Sequence, residues 1–537
     1  VPTAQSSGST PGLNNWRLAA IIFLIVLLLR LPTFFRSVLD WDESLYLLMA
    51  GQWLAGHLPY TTIWDNKPIG IYAIFALFDV ACRDPIVAIR TATAVFVTIT
   101  ALGLYRLVPL LLPGPPRRTT RLSVLAAASF ILGALSNDGL AANTEIFMEC
   151  FSVLAILAAL APGFCEAAPA KRGFTVGLLF ALACMTKYVA VFEAPAIAFA
   201  LLYPAGLFRR RVAGAIAGAA LIPAITVATY AATGHLTVWW TCSIAANFLR
   251  VAAATPPSQL DAVVAIILPR WLPAIAAACL LLGTAPAAIG QTLRTRTLTP
   301  QYRTQFLLGL WLIGGLLGVA AAKSFYDHYF LQILPALCLC LAWTVAWRLP
   351  QFGTWRTLPT SALFAALLII PALAGYTALN NATRPLISPT GQFQPDIPAR
   401  IAADLRPLLA ADTSPAPKLY VFDDQFILYA LTATTPPTRY VFPSVLTGCF
   451  LARVAGVDGA AEIARILAQN PQFIVRRAGP PPATPNTDTA AYAELESALA
   501  QNYTLLHSYP GSLLYRRRPD AARQNFTSPS PSPCAPA

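Results

Sequence analysis

Three carboxylates crowd into four residues at Asp40, Asp42 and Glu43, and a lone Lys67 follows in "DNKP". Further along stand Asp65, Glu145 in "ANTEIF", Lys187 in "CMTKYVAVFEAP", and Lys323, His328 and Tyr329 in "KSFYDHYF". Carboxylates set beside lysines suit one kind of reaction. An acidic residue takes the proton of an acceptor hydroxyl, and cations stabilise a departing phosphate. Each residue also has a plainer account. The three carboxylates could cap a helix, although a cap needs only one. Lys67 and Lys187 could snorkel to lipid headgroups. Glu145 could cap the helix it opens, His328 could be an interfacial histidine, and Tyr329 part of an aromatic belt. One at a time these signals are weak; what gives them weight is where the chain must put them.

The chain has 537 residues, 56% of them hydrophobic and 11% charged. Its mean hydropathy is +0.59. A soluble protein carries about a quarter charged residues. Apolar runs long enough to cross a bilayer recur from Leu18 to about Leu379, and continuous runs exclude the alternating pattern of a barrel. The fold class is therefore an all-α polytopic membrane protein. About eleven spans are expected, at 18–36, 85–105, 121–138, 145–161, 173–189, 191–208, 213–232, 261–283, 305–322, 329–347 and 359–379.

Net charge is +13, yet nucleic-acid binding is rejected because no basic groove interleaved with aromatics is present. The charge instead collects in short loops, at Arg106, Arg117, Arg118 and Arg121, at Arg209 to Arg211, and at Arg294, Arg296 and Arg303. Placing these loops in the cytoplasm satisfies the positive-inside rule and puts residues 1–16 there as a polar tail. Segments 37–84, 139–144, 233–260 and 323–328 then fall outside, and every residue singled out above gathers at that face. Charged groups near the membrane plane are costly and are functional candidates by default.

Within 37–84, "DESLYLLMAGQWLAGH" reads as an amphipathic interfacial helix and "KPIGIYAIFALFDVACR" as a second one, with Pro68 near its start. Residues 17–380 form the membrane module. From 381 to 520 the composition changes to a small α/β domain, with strands in "KLYVFDDQFILYAL", "TRYVFPSV", "QFIVRR" and "SLLYRRR" and helices near 395–410, 459–469 and 488–501. Asp423 and Asp424 read as a solvated turn ending a strand, and 521–537 as a disordered tail. Most of the ten cysteines lie in apolar spans. Cys449 and Cys534 could pair in an oxidising compartment, or remain free thiols.

"WDESLYLLMAGQWLAGHLPYTTIWDNKPIGIY", "TEIF", "MTKYVAVFEAP" and "KSFYDHYFLQILPAL" together resemble the ordered motifs of polyprenyl-phosphate-dependent glycosyltransferases of the GT-C fold. The nearest group is the bacterial family 39 and aminoarabinose-transferase-like enzymes, relatives of the protein O-mannosyltransferases. The likeness spans roughly Leu13 to Leu379. It implies a catalytic Asp42 with Glu43 beside it, and Glu145 at a second acidic position. Lys67, Lys187, Lys323 and Tyr329 would contact the donor phosphate. "KPIG" replaces the family's commoner "KPP", and Asp327-His328 is unusual, which bears on the acceptor side, where His328 and Asp65 are placed.

The implied reaction is inverting transfer of a hexose or pentose from a polyprenyl-phosphate donor to a hydroxyl or similar group on a lipid or glycan. It would occur at the outer face of a bacterial inner membrane, with the active site and C-terminal domain periplasmic. Partners are the lipid-linked donor, a lipid, glycan or protein acceptor, and membrane lipids. Two carboxylates such as Glu43 and Glu145 could ligate a divalent cation but do not establish a metal site, and no other cofactor is indicated. No phosphate-binding loop or dinucleotide fingerprint occurs. A protein O-glycosyltransferase is the runner-up within the fold. A lipid or sugar transporter would bury its charges at mid-span, whereas here they sit at one face.

Overall fold

The computed structural model describes residues 15–161, 168–203, 208–253, 260–349, 360–413, 417–521 and Cys534. The two expected terminal tails fall almost wholly outside these residues. The membrane module runs through α1 (Asn15–Arg30), α2 (Trp41–Leu54), α3 (Ile69–Cys82), α4 (Pro85–Leu111), α5 (Pro116–Gly133) and α6 (Thr144–Leu160). It continues through α7 (Pro169–Thr186), α8 (Ala194–Leu202), α9 (Phe208–Ala232), α10 (Leu236–Trp239), α11 (Ala246–Ala253), α12 (Leu260–Arg270), α13 (Leu272–Gly283) and α14 (Ala285–Thr295). α15 (Pro300–Ala321), α16 (Leu334–Trp347) and α17 (Thr360–Thr383) complete it.

Among the described residues, seven segments are long and apolar enough to cross a membrane, and the chain is a multi-pass membrane protein. Four more of the expected spans coincide with α5, α6, α7 and the 15-residue segment Tyr188–Leu202. The span expected at 261–283 is displaced. The chain breaks at Trp271, ahead of Pro273, and the long apolar segment is Leu272–Thr295. The helix that 261–283 suggested is cut because proline lacks the N–H needed inside a helix.

Helix starts follow local chemistry. Asp84 caps α4 by accepting from the N–H groups of Ile86 and Val87, with Pro85 at the first position. The closest helix pair, α7 with α9, meets along glycines at spacing four. A Cβ on Gly173 or Gly177 would lie 2.0 Å from the carbonyl oxygen of Arg211 or Ala215. Gly214 and Gly218 face α7 in the same way. Small residues at this spacing let backbones touch where lipid offers no hydrophobic drive.

Between the span ends, α2 and α3 occupy the first long loop as expected, but α2 is not a surface helix. Glu43 to Ala50 are eight consecutive buried residues, because a second domain covers the face that would otherwise meet water. That domain has a four-stranded sheet of order β1-β2-β4-β3, built from β1 (Leu419–Phe422), β2 (Phe473–Arg477), β3 (Tyr503–Tyr509) and β4 (Ser512–Arg517). β1 and β2 are parallel and the other pairs antiparallel. Its helices are α18 (Ile397–Ala411), α19 (Leu428–Leu431), α20 (Pro443–Thr447), α21 (Cys449–Ala455), α22 (Gly459–Ala468) and α23 (Thr489–Asn502).

Two strand expectations change. "TRYVFPSV" leads into α20, with Pro443 opening the helix. Tyr503–Tyr509 is a strand that periodicity hid, since it is an edge with Leu505 and Leu506 exposed. Asp423 and Asp424 are not a solvated turn. Asp423 accepts from Arg477 Nε (2.7 Å) and Tyr492 Oη (2.6 Å). Asp424 is buried, and burial lifts its carboxyl to about 6. Cys449 and Cys534 are joined in a disulfide.

The domain is fastened over the first loop at several points. Ser37 donates from N and Oγ to Asp396 (2.8 and 2.7 Å). Trp64 N donates to Arg439 O (2.8 Å), and Arg439 Nη2 donates back to Tyr60 O (2.7 Å). Trp41 packs edge-on against Phe426 and Phe442.

Candidate functional site

The start of α2 is set by a buried ion pair. Arg90, one turn into α4, donates Nη1 and Nη2 to the two oxygens of Glu43, each at 2.7 Å. Arg90 also donates to the carbonyls of Thr33 and Arg36. The same Glu43 oxygens accept from Leu39 N (2.7 Å) and Ala142 N (3.0 Å). Glu43 is fully buried, takes four donors and lines no cavity. These contacts make Glu43 a positioning residue rather than the catalytic one the resemblance implied: with Arg90 it ties the segment 33–39, the start of α4 and the 134–143 loop around α2. Arg30, itself buried, ties that loop down through the carbonyls of Ala134, Gly139 and Leu140.

With α2 held, Asp40 caps it by accepting from Asp42 N (2.9 Å). One carboxylate serves as cap, as expected, and Asp42 points elsewhere. Asp42 Oδ2 accepts from Lys67 Nζ (3.0 Å) and Tyr46 Oη (2.9 Å). Oδ1 has no hydrogen-bond partner among the described residues. Burial pushes the Asp42 carboxyl upward, but Lys67, His328 and the two hydrogen bonds outweigh it and hold it well below the carboxylate range. Burial likewise opposes the charge on Lys67, and Asp42, Asp65 and Tyr329 outweigh it, so the ammonium is held firmly protonated.

The "DNK" turn is anchored from several sides. Tyr60 and Tyr72 donate to Lys67 O (2.6 and 3.3 Å), and Tyr72 also donates to Asp65 Oδ2 (2.8 Å). Asp65 is pushed up, by burial first and by Asp42. Gly70, which follows the Ile69 that stands where "KPP" has its second proline, lets α3 begin against α7. A Cβ there would lie 2.4 Å from Met185 O, and no larger residue keeps Lys67 and Lys187 in one site.

Lys187 ends α7, pairs with buried Glu145 at the head of α6, and stands 3.9 Å from the ring centroid of Tyr329. Arg250 of α11 donates to Tyr329 Oη (3.3 Å). A π-helical turn, Trp240–Ala245, delivers α11 to this place. Asn247 secures it by donating to Asn66 O (2.6 Å). Such turns often mark functional positions.

Two spaces open around these residues, each of about 500 Å³. The first is the more polar of the two, with Asp40, Asp42, Asp65, Asp138 and His328 on its membrane side and Phe442, Phe450 and Asn486 of the C-terminal domain as its roof. The second is an apolar groove bounded by Tyr188, Val191, Phe192, Ile244 and Phe248, with Lys187 at one end. Asn66, Lys67, Arg250 and Tyr329 line both. The cations thus stand at the seam between a wet chamber and a greasy one.

Of the sequence candidates, Asp42, Asp65, Lys67, His328 and Tyr329 reach the polar cavity, and Lys187 reaches the groove with Glu145 behind it. Lys323 does not join them. It is exposed, lines neither space and donates to Val251 O (2.9 Å), which sets it apart from the phosphate contacts the resemblance implied, whereas Arg250 lines both spaces. Asp327 faces Arg270 (3.7 Å). The sequence reading missed Arg90, Asp138 and Arg250. A lone arginine in the outer segment "NFLR" and a lone aspartate in "SNDG" were the available signals.

This arrangement has counterparts. The crystal structure of ArnT from Cupriavidus metallidurans bound to undecaprenyl phosphate superposes with a TM-score of 0.61 at 14% identity, over 95% of this chain and 99% of that one. The fold is GT-C. The apo state of the same ArnT gives 0.58 at 14% identity, covering 93% and 97%. Mycobacterial arabinofuranosyltransferase AftD gives 0.50 at 16% identity, over 95% of this chain and 40% of that one. Residues 66–230 match the family described as dolichyl-phosphate-mannose-protein mannosyltransferase. That stretch runs from the residue before Lys67 almost to the end of α9 and holds Glu145 and Lys187. No curated protein matches the chain in sequence. The GT-C likeness reaches across both domains, so the C-terminal roof is part of the shared architecture.

Proposed function

We propose that this chain is an inverting glycosyltransferase that uses a polyprenyl-phosphate sugar and works at the outer face of a bacterial inner membrane, crossing it about eleven times. One observation carries the reading: the polar cavity and the apolar groove meet at Lys67, Arg250 and Tyr329, with Asp42 on the polar side. A lipid-linked sugar has the same three parts in the same order. Its isoprenoid tail fits the groove, its phosphate the cations, and its sugar the polar cavity. Undecaprenyl phosphate bound to ArnT supports the choice of lipid.

The chemistry follows from the free lone pairs. Asp42 Oδ1 accepts the hydrogen of the acceptor hydroxyl, whose oxygen attacks the anomeric carbon as the bond to the phosphate oxygen breaks. The electron pair leaves with the phosphate, where Lys67 and Arg250 stabilise it. A single displacement inverts the centre. A carboxylate held as low as Asp42 is a weak base while Lys67 is bound to it. An incoming phosphate competes for that ammonium, loosens its hold and raises the basicity of Asp42 as the donor arrives. Trp41, Trp64, Phe442 and Phe450 offer flat apolar faces beside the carboxylates, a lining suited to the two kinds of face on a sugar ring, which favours a lipid or glycan acceptor.

The test uses the full chain in detergent with a panel of polyprenyl-phosphate sugars, following release of free polyprenyl phosphate. Sugar-dependent release in the wild type, lost in Asp42→Asn and in Lys67→Ala with folding intact, is the expected result. Equal release by the wild type and Asp42→Asn would overturn the mechanism.

A further inference from the structure

Asp40, Asp138 and His328 meet at the polar cavity, and none of them lines the lipid groove. One ligand atom from each lies within 4.8 Å of the other two. His328 Nδ1 stands 3.9 Å from Asp40 Oδ2 and 4.0 Å from Asp138 Oδ2. That nitrogen is buried and has no hydrogen-bond partner among the described residues, and the histidine is only 7% exposed. Its ring is held in place, stacked on Tyr326 at 5° and edge-on to Tyr329. A buried imidazole nitrogen fixed toward two carboxylates and bonded to neither is aimed at something between them.

We infer that Asp40, Asp138 and His328 Nδ1 form a divalent-cation site opening into the polar cavity. Bonds of about 2.1 Å place ligand atoms roughly 3.4 Å apart in a tetrahedral shell. The two separations from His328 Nδ1 exceed that by about half an ångström and the two carboxylates lie within 4.8 Å of each other, gaps that side-chain rotations close. Two carboxylates and one imidazole suit Mn²⁺ or Zn²⁺ rather than Mg²⁺ or Ca²⁺, which prefer oxygen alone. Three protein ligands leave positions open to the cavity, where oxygen atoms of a bound molecule complete the shell. These are not the carboxylates that the sequence suggested for a cation. Glu43 is engaged by Arg90 and Glu145 by Lys187. The placement also fits the local backbone, since Asp138 sits at φ +54° on the loop that Arg30 and Glu43 tie down. On the transferase reading, the open positions face the acceptor and not the lipid phosphate, which already has Lys67 and Arg250.

Mn²⁺ binding to the full-length, chelator-treated protein in detergent tests this without donor, acceptor or turnover, so it stands or falls separately from the proposed reaction. Electron paramagnetic resonance counts bound against free Mn²⁺, and the pulsed experiment reports a nitrogen ligand. We expect one equivalent with nitrogen coupling in the wild type and in Asp520→Asn, a remote exposed carboxylate. His328→Gln should lose the nitrogen coupling and bind at least tenfold more weakly, as should Asp138→Asn. A wild type without saturable Mn²⁺, or with bound Mn²⁺ lacking nitrogen coupling, overturns the site. So does unchanged binding in both variants.

Discussion

Replacing Glu43 by glutamine separates scaffold from chemistry at a position where sequence alone suggested catalysis. The two Glu43 oxygens receive four donors: two guanidinium N–H groups and the backbone N–H groups of Leu39 and Ala142. Glutamine keeps one oxygen and turns its amide nitrogen toward two of those donors. The Arg90 guanidinium, about 1% exposed, then lacks a counter-charge in a site that water does not reach. Breaking a buried pair by removing one partner costs about 3–5 kcal/mol. Glu43→Gln should therefore lower thermal stability in detergent substantially, and the folded fraction at low temperature should keep measurable turnover. The double variant Glu43→Leu with Arg90→Met should recover part of the loss, since no charge is left unpaired, and a double-mutant cycle reads the coupling directly. A Glu43→Gln protein as stable as the wild type but as inactive as Asp42→Asn would refute this, and Glu43 would return to the cavity as a reacting group.

Three further outcomes follow from the geometry. Asp42 is held low chiefly by Lys67 against the effect of burial, and the mechanism needs its ionised form. Activity should therefore fall only as pH drops through that low value, and Tyr46→Phe, which removes a hydrogen bond that lowers Asp42, should move the acid limb of kcat/KM to higher pH; an unmoved limb would detach that hydrogen bond from the ionisation of Asp42. Arg250→Ala removes a charge-assisted contact to the donor phosphate worth about 1.5–3 kcal/mol, so donor KM should rise roughly 10- to 150-fold, whereas Lys323→Ala should change it less than about twofold. Gly177→Val sets a side chain onto a backbone carbonyl of α9 and should abolish the folded monodisperse peak in size-exclusion chromatography, while Gly51→Ala, with open space around it, should elute like the wild type.

What the sequence revealed and concealed divides along physical lines. Spans are legible because bilayer thickness imposes a length and a composition on each one independently. The displaced eighth span shows the limit, since 261–283 is mostly apolar, with Asp261 and Arg270 its only charges, while Pro273 and Pro286 decide where the helices break. Asp42 and Lys67 were legible because a carboxylate and a lysine at a span mouth are expensive without a purpose. Their partners were not, because partnership is a long-range property. Arg90 lies 47 residues from Glu43 in sequence, and Lys187 lies 42 from Glu145. Adjacent letters also misled, for Asp42 and Glu43 stand about 100° apart around α2, one toward the cavity and one toward the scaffold.

The covering domain explains why so polar a site is built at a membrane surface at all. An exposed Asp42–Lys67 pair would be worth little, since water and salt screen it. Under a roof of Phe442, Phe450 and Asn486 the same pair works at a lower local dielectric, where each charge contact strengthens. The roof is fastened by Ser37–Asp396 and Trp64–Arg439, contacts to the very loop that carries the reacting groups. Loosening the roof should thus weaken the catalytic electrostatics before it unfolds anything. The eight buried residues of α2, unreadable as a surface helix, are the cost of that arrangement: a helix stretch buried on every side is stable there only because the second domain completes the core around it.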